Sequence, residues 1–374
     1  MVAAGGAHTV LLLSDGSAVA CGSNEAGQCD LPALSGGLVY TQVAAGQQHT
    51  VLIRSDGSAV ACGDNCAGQC DLPALEGGLV YTQVAAGELH TVLLRSDGSA
   101  VVRGNNGALP RAVPALEGGL AYTQVAAGAF YDALLLSDGS AVGCGHNGDG
   151  QCDFPALTGG LAFSQVAAGE FHTVLLQSDG SAVACGDNGA GRCDLPALTG
   201  GLAYTHVTAG DAHTVLIRSD GSAVACGNNE AGQCDLPALV GGLAYTQVAA
   251  AGAHTVLLRS DGSAVACGHN GDGQCDLPAL AGGLACVAPS LPTLLLQASF
   301  DGAAVRFLTL GGQERCRVAA APGVLLADVR EQLVAERRAG RLGPGLARVD
   351  AALPEGRLLS EAPGEETVAS AFGL

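Results

Sequence analysis

Residues 254–268 read HTVLLRSDGSAVACG, and variants of this stretch recur every 41 residues along the first three-quarters of the chain. The recurring Ser-Asp-Gly triplets begin, with no insertion or deletion between them, at Ser14, Ser55, Ser96, Ser137, Ser178, Ser219 and Ser260. A fixed period of this length indicates stacked units that bury their apolar faces against one another. The sequence therefore predicts seven equivalent units, arranged either as an open stack or as a closed ring.

One copy, taken from residue 40, shows the strand pattern. Tyr40–Ala45 and His49–Arg54 are predicted strands, because they alternate or are rich in β-branched residues. Ser55–Gly57 predicts a tight turn, and Ser58–Cys62 returns as a third strand. A short fourth segment, Gln69–Asp71, ends before a proline. Four short antiparallel strands per copy predict one blade of an all-β, seven-bladed β-propeller.

The residue order VAAGxxHTVLLxSDGSAVxxGxNxxGQ resembles the repeat of the regulator of chromosome condensation family. The resemblance covers about three-quarters of the chain and implies a seven-bladed propeller, the fold of that family. Cysteines such as Cys21 and Cys62 stand where that family commonly has an aromatic residue. We therefore expect a core of valine, leucine, alanine and cysteine rather than of aromatic rings.

The two ends of the repeat region predict how the ring closes. The first copy begins abruptly at Met1, without the Tyr-Thr-Gln that precedes the other copies. After the seventh copy, residues 282–287 repeat the start of that missing segment. We expect them to pair with the N-terminal hairpin, which would remove exposed sheet edges.

Charge excludes some classes of partner. Residues 1–287 contain 25 acidic residues against 7 arginines, and the chain has no lysine. Such a surface repels phosphate, so we expect no nucleic-acid and no membrane partner. The absence of an apolar run of membrane-spanning length and of a signal-like start predicts a cytoplasmic or nuclear protein with reduced cysteines.

Three sets of repeated residues could form metal sites, but each has a structural explanation that we favour. The histidines (His8, His49, His90, His172, His213 and His254) occur once per copy, as expected for side chains that hydrogen-bond in the core. Turn aspartates more often cap turns than bind calcium. The two cysteine columns, eight residues apart, predict buried thiols, with zinc or regulated disulfides as alternatives. Cys66 is the thiol we expect to be most exposed. No metal and no cofactor is predicted.

Positions that break the repeat are candidates for partner binding. Both cysteine columns are lost together in the third copy, as Arg103 and Arg111, and the fourth copy carries Phe130, Tyr131 and Asp132 where others read His-Thr-Val or close to it. Joint loss suggests that the two cysteine positions touch. Arginines beside aromatic residues have the composition of an interface hot spot, although neutral drift of the repeat is the alternative. No nucleophile–base set stands out, so we expect no catalytic residues and no enzyme activity.

The last 87 residues have a different pattern. Strands are predicted over residues 304–310 and 313–318, a helix over Leu326–Arg338 and a last strand over Val368–Phe372. This order, with residues 352–360, resembles the ubiquitin-like β-grasp fold. We therefore predict a propeller over 1–287, a linker over 288–302 and a small α+β ubiquitin-like domain over 303–374.

These features predict a monomeric, non-enzymatic interaction scaffold. The propeller would bind a protein partner, and the ubiquitin-like domain would dock to ubiquitin or proteasome machinery. The alternative implied by the resemblance is a guanine-nucleotide exchange factor for a Ran-like small GTPase. Seven copies of equal length leave no space for the inserted wedge on which exchange depends in that family, which disfavours this alternative.

Overall fold

A computed structural model of the chain describes residues 1–105, 113–279 and 284–286, together with four later strand segments within residues 294–352. The chain divides into two compact units, Met1–Pro289 and Ser290–Leu374. The first unit contains all seven repeats.

Each repeat forms one antiparallel sheet of three strands in sequence order. The first strands are β1 (Val2–Ala4), β4 (Tyr40–Ala45), β7 (Tyr81–Ala86), β10 (Tyr122–Ala127), β13 (Phe163–Ala168), β16 (Tyr204–Ala209) and β19 (Tyr245–Ala251). The second strands are β2 (His8–Leu12), β5 (His49–Arg54), β8 (Leu89–Arg95), β11 (Tyr131–Leu136), β14 (His172–Gln177), β17 (His213–Arg218) and β20 (His254–Arg259). The third strands are β3 (Ala18–Gly22), β6 (Ala59–Gly63), β9 (Ala100–Asn105), β12 (Ala141–Gly145), β15 (Ala182–Gly186), β18 (Ala223–Gly227) and β21 (Ala264–Gly268). The sheets are numbered as blades 1 to 7.

The seven blades form a closed ring. Each first strand contacts the first strands of both neighbours, and β1 completes the circle by contacting β19. The apolar residues form seven clusters, each shared by two adjacent blades. Val51 and Leu52 at the centre of blade 2 have no exposed surface, and burying each such side chain contributes about 1.5–3 kcal/mol. The predicted closed seven-bladed propeller is confirmed for the described repeats.

The predicted fourth strand is wrong for the six blades in which that segment is described. The first two predicted strands of blade 2 match β4 and β5, and the third is shifted by one residue. The segment around Cys70 is a turn instead. The N–H of Cys70 donates to the side-chain oxygen of Asn65 (2.8 Å), and the N–H of Asp71 donates to the carbonyl of Gly68 (3.2 Å). These local bonds use the donors that a fourth strand would need.

The Ser-Asp-Gly segments form the predicted turns. In blade 2, Gly57 has a φ of +78°, a conformation that glycine adopts without strain. The Asp56 carboxylate accepts bonds from the N–H and hydroxyl of Ser58, at 2.9 and 2.6 Å. These bonds lower the pKa of Asp56. The aspartates therefore cap turns, and among the described residues no group of His, Cys, Asp or Glu could hold a metal ion.

The core is not free of aromatic residues, contrary to the prediction. Six of the seven inter-blade clusters contain a buried ring from the start of a first strand: Tyr40, Tyr81, Tyr122, Phe163, Tyr204 and Tyr245. The cluster with Phe163 also holds Tyr131. The five first-strand tyrosine hydroxyls donate to a proline carbonyl eight residues earlier, for example Tyr81 to Pro73 (2.9 Å). These tyrosines begin the first strands, where the sequence pattern alone did not show which face is buried.

The predicted closure is confirmed where residues 282–287 are described. Cys286 forms an isolated antiparallel β-bridge with Leu13, and the N–H of Ser14 donates to the carbonyl of Ala285 (2.9 Å). In the seventh cluster, Cys286 occupies the place that an aromatic ring has in the other six. Gly282, Gly283 and Val287 lie outside the described residues. Blade 1 nevertheless takes all three of its own strands from residues 2–22.

One recurring polar contact between neighbouring blades is a chain of two hydrogen bonds. The hydroxyl of Thr50 in blade 2 donates to the carbonyl of Gln28 (2.7 Å), so its oxygen accepts from Nε2–H of His8 in blade 1 (2.8 Å). We call this arrangement the inter-blade clasp. Four further clasps join His49 to Thr91, His172 to Thr214, His213 to Thr255 and His254 to Thr9. The last one closes the ring between blades 7 and 1.

The clasp requires a neutral histidine. Nε2 carries the proton because the threonine hydroxyl already donates elsewhere, and Nδ1 of each clasp histidine is buried without a partner among the described residues. A second proton on Nδ1 would therefore be a buried, unpaired charge. Burial lowers the pKa to about 4 for His8, His213 and His254, and to about 3 for His49 and His172.

The second unit contains a four-stranded sheet in the order β24-β23-β22-β25, with β22 (Leu294–Phe300), β23 (Ala304–Thr309), β24 (Glu314–Ala319) and β25 (Val349–Ala352). The predicted hairpin corresponds to β23 and β24. The strand β22 lies within the predicted linker 288–302, and it pairs with β23 antiparallel and with β25 parallel. The predicted helix 326–338 and the final strand 368–372 lie outside the described residues.

Removing one clasp should weaken the closure of the ring. Thr9→Val keeps the shape of the side chain but leaves Nε2–H of His254 and the carbonyl of Gln274 without their partner. We expect a loss of about 2 kcal/mol in the free energy of unfolding, measured by urea titration. Thr41→Val is the matched control, because Thr41 is exposed and belongs to no clasp, and it should change stability by less than about 0.5 kcal/mol. Equal losses in both variants would contradict the role of the clasp.

Mild acid should unfold the propeller. The unfolded chain binds protons on histidine below a pKa of about 6.5, whereas the five clasp histidines stay neutral to a pKa of about 3 to 4. The free energy of unfolding therefore has its full value above pH 6.5. It decreases as the pH falls towards 4, by up to about 1.4 kcal/mol per pH unit for each histidine. Urea titrations between pH 7.5 and 5 test this prediction. The variant His254→Gln should reduce the slope of the unfolding free energy against pH by the equivalent of about one proton. A stability that is constant over this range would contradict the prediction.

Candidate functional site: the acidic mouth of the central channel

Two of the predicted partner-binding residues are buried. Tyr131 and Asp132 have no exposed surface. Tyr131 takes the histidine position of blade 4, and its hydroxyl donates to the carbonyl of His172 (2.6 Å). Asp132 takes the threonine position and accepts from Nε2–H of His90 (2.7 Å). The prediction that they contact a partner is wrong, because both are altered members of the clasp series.

The other predicted residues do not form a described cluster with them. Arg103 is half-buried and its guanidinium donates to the carbonyl of Val102 (3.0 Å). Phe130 is half-buried in the turn before β11. Arg111 lies outside the described residues. Arg103 and Phe130 therefore stay predictions as partner contacts.

The central channel opens between the blades at one end of their first strands. Each first strand ends at an alanine, and the next residue is a glycine. These small residues leave a cavity of about 180 Å³ at the opening. Backbone bonds tie neighbouring turns together at this opening, such as Gly6 N–H to Gly46 (3.1 Å) and Gln47 N–H to Gly87 (3.2 Å). The Ser-Asp-Gly turns lie at the opposite ends of the strands.

Three carboxylates line this opening: Glu88 from blade 3, Glu170 from blade 5 and Asp211 from blade 6. Each occupies the same repeat position, directly after the small residues that end the first strand. Burial raises the pKa of Glu88, and the negative charge of Asp211 raises it further. Burial also raises the pKa of Glu170, with added repulsion from Asp211 and Glu88. The three side chains therefore share one electrostatic environment, which we call the acidic mouth.

The nearby cation is already engaged. The guanidinium of Arg192 pairs with Asp187 (3.0 Å) and donates to the backbone carbonyl of Asp211 (3.1 Å). Burial raises the pKa of Asp211, while a bond from the N–H of Gly252 (3.0 Å) opposes that rise. The acidic mouth thus carries negative charge that a bound cation would neutralise.

The three carboxylates of the mouth are not among the residues predicted from the sequence, although the sequence contains a signal for them. Across the seven copies, the position after the small residues reads Gly6, Gln47, Glu88, Ala129, Glu170, Asp211 and Gly252. A position that varies in a strict repeat is not required by the fold. The cluster cannot be found from one copy, because its members come from three different blades.

A narrow opening lined by carboxylates and small residues can accommodate cationic groups that pair with the carboxylates. The residues that line the opening include no histidine and no cysteine that could act with these carboxylates as a nucleophile or a base.

A protein-family model matches five of these repeats. The model of the regulator of chromosome condensation (RCC1) repeat matches residues 2–28, 40–69, 163–192, 204–233 and 245–274. These ranges fall in five of the seven repeats, so the propeller contains repeats similar to the RCC1 repeat. A search of curated proteins finds no match for the chain. The described part of the chain has no helix long and apolar enough to cross a membrane.

Solved structures share this propeller fold. Prp20p from Saccharomyces cerevisiae, described with its binding properties to Gsp1p and histones, is 18% identical, with a TM-score of 0.57 over 65% of this chain and 74% of its own. The CRINKLY WD40 ectodomain of the receptor kinase ACR4 from Arabidopsis thaliana is 20% identical, with a TM-score of 0.57 over 71% of this chain and 94% of its own. At these identities the similarity establishes the fold alone.

Repulsion within the acidic mouth should lower stability. The double variant Glu88→Gln/Glu170→Gln should raise the free energy of unfolding by up to about 1 kcal/mol at pH 7, because two partly buried like charges are removed. Glu76→Gln/Glu117→Gln, which removes two exposed charges, is the matched control. Added salt should stabilise the unmodified protein more than the mouth variant, since salt screens the repulsion. If the two double variants respond alike, the carboxylates at the mouth do not repel one another.

Proposed function

We propose that the chain is a non-enzymatic interaction scaffold whose propeller binds a protein partner at the acidic mouth. The partner contributes a basic segment, because the mouth presents three carboxylates and its neighbouring arginine is already paired. The observation that carries the proposal is the convergence of Glu88, Glu170 and Asp211 from three blades, at a position that the repeat leaves variable.

The comparison with Prp20p supports this class of partner. Prp20p was described with its binding to histones, which are basic proteins, and to Gsp1p. A basic protein segment is the chemistry that the acidic mouth of this chain fits best. The acidic charge of the repeats also favours fast association with such a segment and slow association with acidic ones.

The C-terminal unit would supply a second contact. We assign residues 303–374 a ubiquitin-like role that docks the scaffold to ubiquitin or proteasome machinery. The hairpin of β23 and β24 within this range supports it, since a β-grasp sheet contains a hairpin. Deleting residues 288–374 should abolish retention of ubiquitin-pathway proteins and leave binding at the acidic mouth unchanged.

The competing function is nucleotide exchange on a Ran-like small GTPase. Its support is the fold shared with Prp20p, described with its binding to Gsp1p. Against it, the seven Ser-Asp-Gly triplets are equally spaced, so no copy contains an inserted wedge.

Binding of the full chain to a purified core histone and to a Ran-like GTPase separates these functions. We expect micromolar or tighter histone binding that weakens with salt. The variant Glu88→Gln/Glu170→Gln/Asp211→Asn should weaken it at least about tenfold, which corresponds to about 1.4 kcal/mol. The control Asp15→Asn/Asp56→Asn/Asp179→Asn removes the same charge from exposed turns at the other ends of the strands and should leave affinity within about twofold.

Equal weakening in the two triple variants would show that binding follows net charge, and it would overturn the assignment to the acidic mouth. Accelerated release of nucleotide from the GTPase would overturn the non-enzymatic function in favour of exchange.

A further inference from the structure

Two columns of half-buried cysteines run around the propeller. The first column lies on the third strands and comprises Cys21, Cys62, Cys144, Cys185, Cys226 and Cys267. The second lies in the turn that follows and comprises Cys29, Cys70, Cys152, Cys193, Cys234 and Cys275. All are free thiols in this structure. The function proposed above uses none of them.

A first-column thiol points at the second-column residue of the preceding blade. The sulfur of Cys62 lies 3.6 Å from the carbonyl oxygen of Gln28, the residue bonded to Cys29. The strand register explains this direction, since Cys62 pairs with Thr50, whose hydroxyl reaches the same carbonyl. The other S···O distances are 3.8 Å from Cys21 to Gln274, 3.6 Å from Cys185 to Gln151, 3.5 Å from Cys226 to Arg192 and 3.7 Å from Cys267 to Gln233.

A second-column thiol lies on the opposite face of its own blade. In blade 4, a Cβ on Gly143 would be 2.7 Å from the sulfur of Cys152. Gly143 precedes Cys144 on β12, and neighbouring residues of a strand face opposite sides of the sheet. Cys152 also packs against the cluster shared by blades 4 and 5. Cys144 and Cys152 thus lie on opposite faces of blade 4, in different inter-blade clusters. Cys152 and Cys185, which points at the carbonyl of Gln151, therefore lie on the two sides of one blade interface. The backbone of a second-column residue's own blade is also close, since the sulfur of Cys70 lies 3.8 Å from the carbonyl oxygen of Cys62.

We propose that five facing cysteine pairs are sites of reversible oxidation to inter-blade disulfides. The pairs are Cys21 with Cys275, Cys29 with Cys62, Cys152 with Cys185, Cys193 with Cys226 and Cys234 with Cys267. The oxidant is a small-molecule disulfide such as oxidised glutathione. One cysteine thiolate attacks it to form a mixed disulfide and releases one glutathione thiolate. The facing cysteine then displaces the second glutathione, so that two thiol protons and two electrons pass to two glutathione thiols.

The oxidised ring would have one unlinked blade. The interfaces on both sides of blade 3 lack a pair, because the third copy has Arg103 and Arg111 in the two columns. The five disulfides would thus join blades 4, 5, 6, 7, 1 and 2 into one covalent arc. The Cys21–Cys275 bond would join the first and last copies, where closing a long loop restricts the unfolded chain most.

The environment of the thiols favours slow, pH-dependent exchange. Burial raises the pKa of Cys62 to about 12 and that of Cys21 to about 11, so little thiolate is present at neutral pH. Their partial exposure still admits a small oxidant. The rate of linkage should therefore increase with pH as the thiolate fraction rises.

Disulfide mapping of the full chain tests the proposal. The native protein is incubated with oxidised glutathione at pH 8.5, remaining thiols are blocked, and the chain is cleaved at acidic residues. An acidic residue separates the two cysteines of every blade that has both: Glu25, Asp64, Asp149, Asp187, Glu230 and Asp272. Within-blade and inter-blade disulfides therefore give different pairs of peptides. The same oxidation in urea supplies the pattern of the unfolded chain.

The expected result is the five inter-blade peptide pairs in the native protein, a scrambled set in urea and a thermal midpoint that rises on oxidation and returns with reductant. Cys275→Ser should lose the link to Cys21 and part of that rise, whereas Cys66→Ser, which removes an exposed thiol outside both columns, should keep all five links. Within-blade pairs, or glutathione adducts alone, in the native protein would overturn the proposal.

Discussion

The inter-blade clasp is the contact on which the rest of the propeller depends. A three-stranded blade cannot cover both of its apolar faces, so its stability comes from its neighbours. The clasp places a histidine donor, a threonine hydroxyl and a backbone carbonyl in one chain beside the apolar cluster that the two blades share. Because each of these groups satisfies another, the polar atoms cost little when buried, and they define the register of adjacent blades. The closure between His254 and Thr9 uses the same contact as the interior of the array.

The sequence predicted the ring, the first three strands of each blade and the turns because those features repeat. An assignment that is ambiguous in one copy is supported by the other copies. It failed where the answer depends on contacts between copies. Tyr131 and Asp132 look like departures from the repeat, yet each replaces a clasp member and finds its partner in an adjacent blade, at Thr173 and His90. A residue and its partner in a clasp are 42 positions apart, so inspection of one copy could not separate a compensated substitution from an exposed binding residue. The fourth strand failed for a local reason, since the side chain of Asn65 takes a backbone donor that the strand pattern assigned to a ladder.

The acidic mouth shows the opposite case, in which variable positions become a site only after the ring is closed. Glu88, Glu170 and Asp211 are far apart in the sequence, but the ends of their strands meet around the channel. Their separation from the clasps matters for function, because the ring supplies a rigid frame while the mouth is free to vary. The propeller fold is established by the repeats and by the structural neighbours. The identity of the partner depends on the mouth residues of this chain, since fold similarity does not by itself determine function.

The state of the clasp histidines can be measured directly by nitrogen-15 NMR of the imidazole rings at pH 7. We predict that five histidines are neutral, with the proton on Nε2 and with Nε2–H signals that exchange slowly with water: His8, His49, His172, His213 and His254. Rings protonated on Nδ1, rings that carry both protons, or Nε2–H signals lost to rapid exchange would contradict the claim that a histidine–threonine–carbonyl chain holds neighbouring blades together.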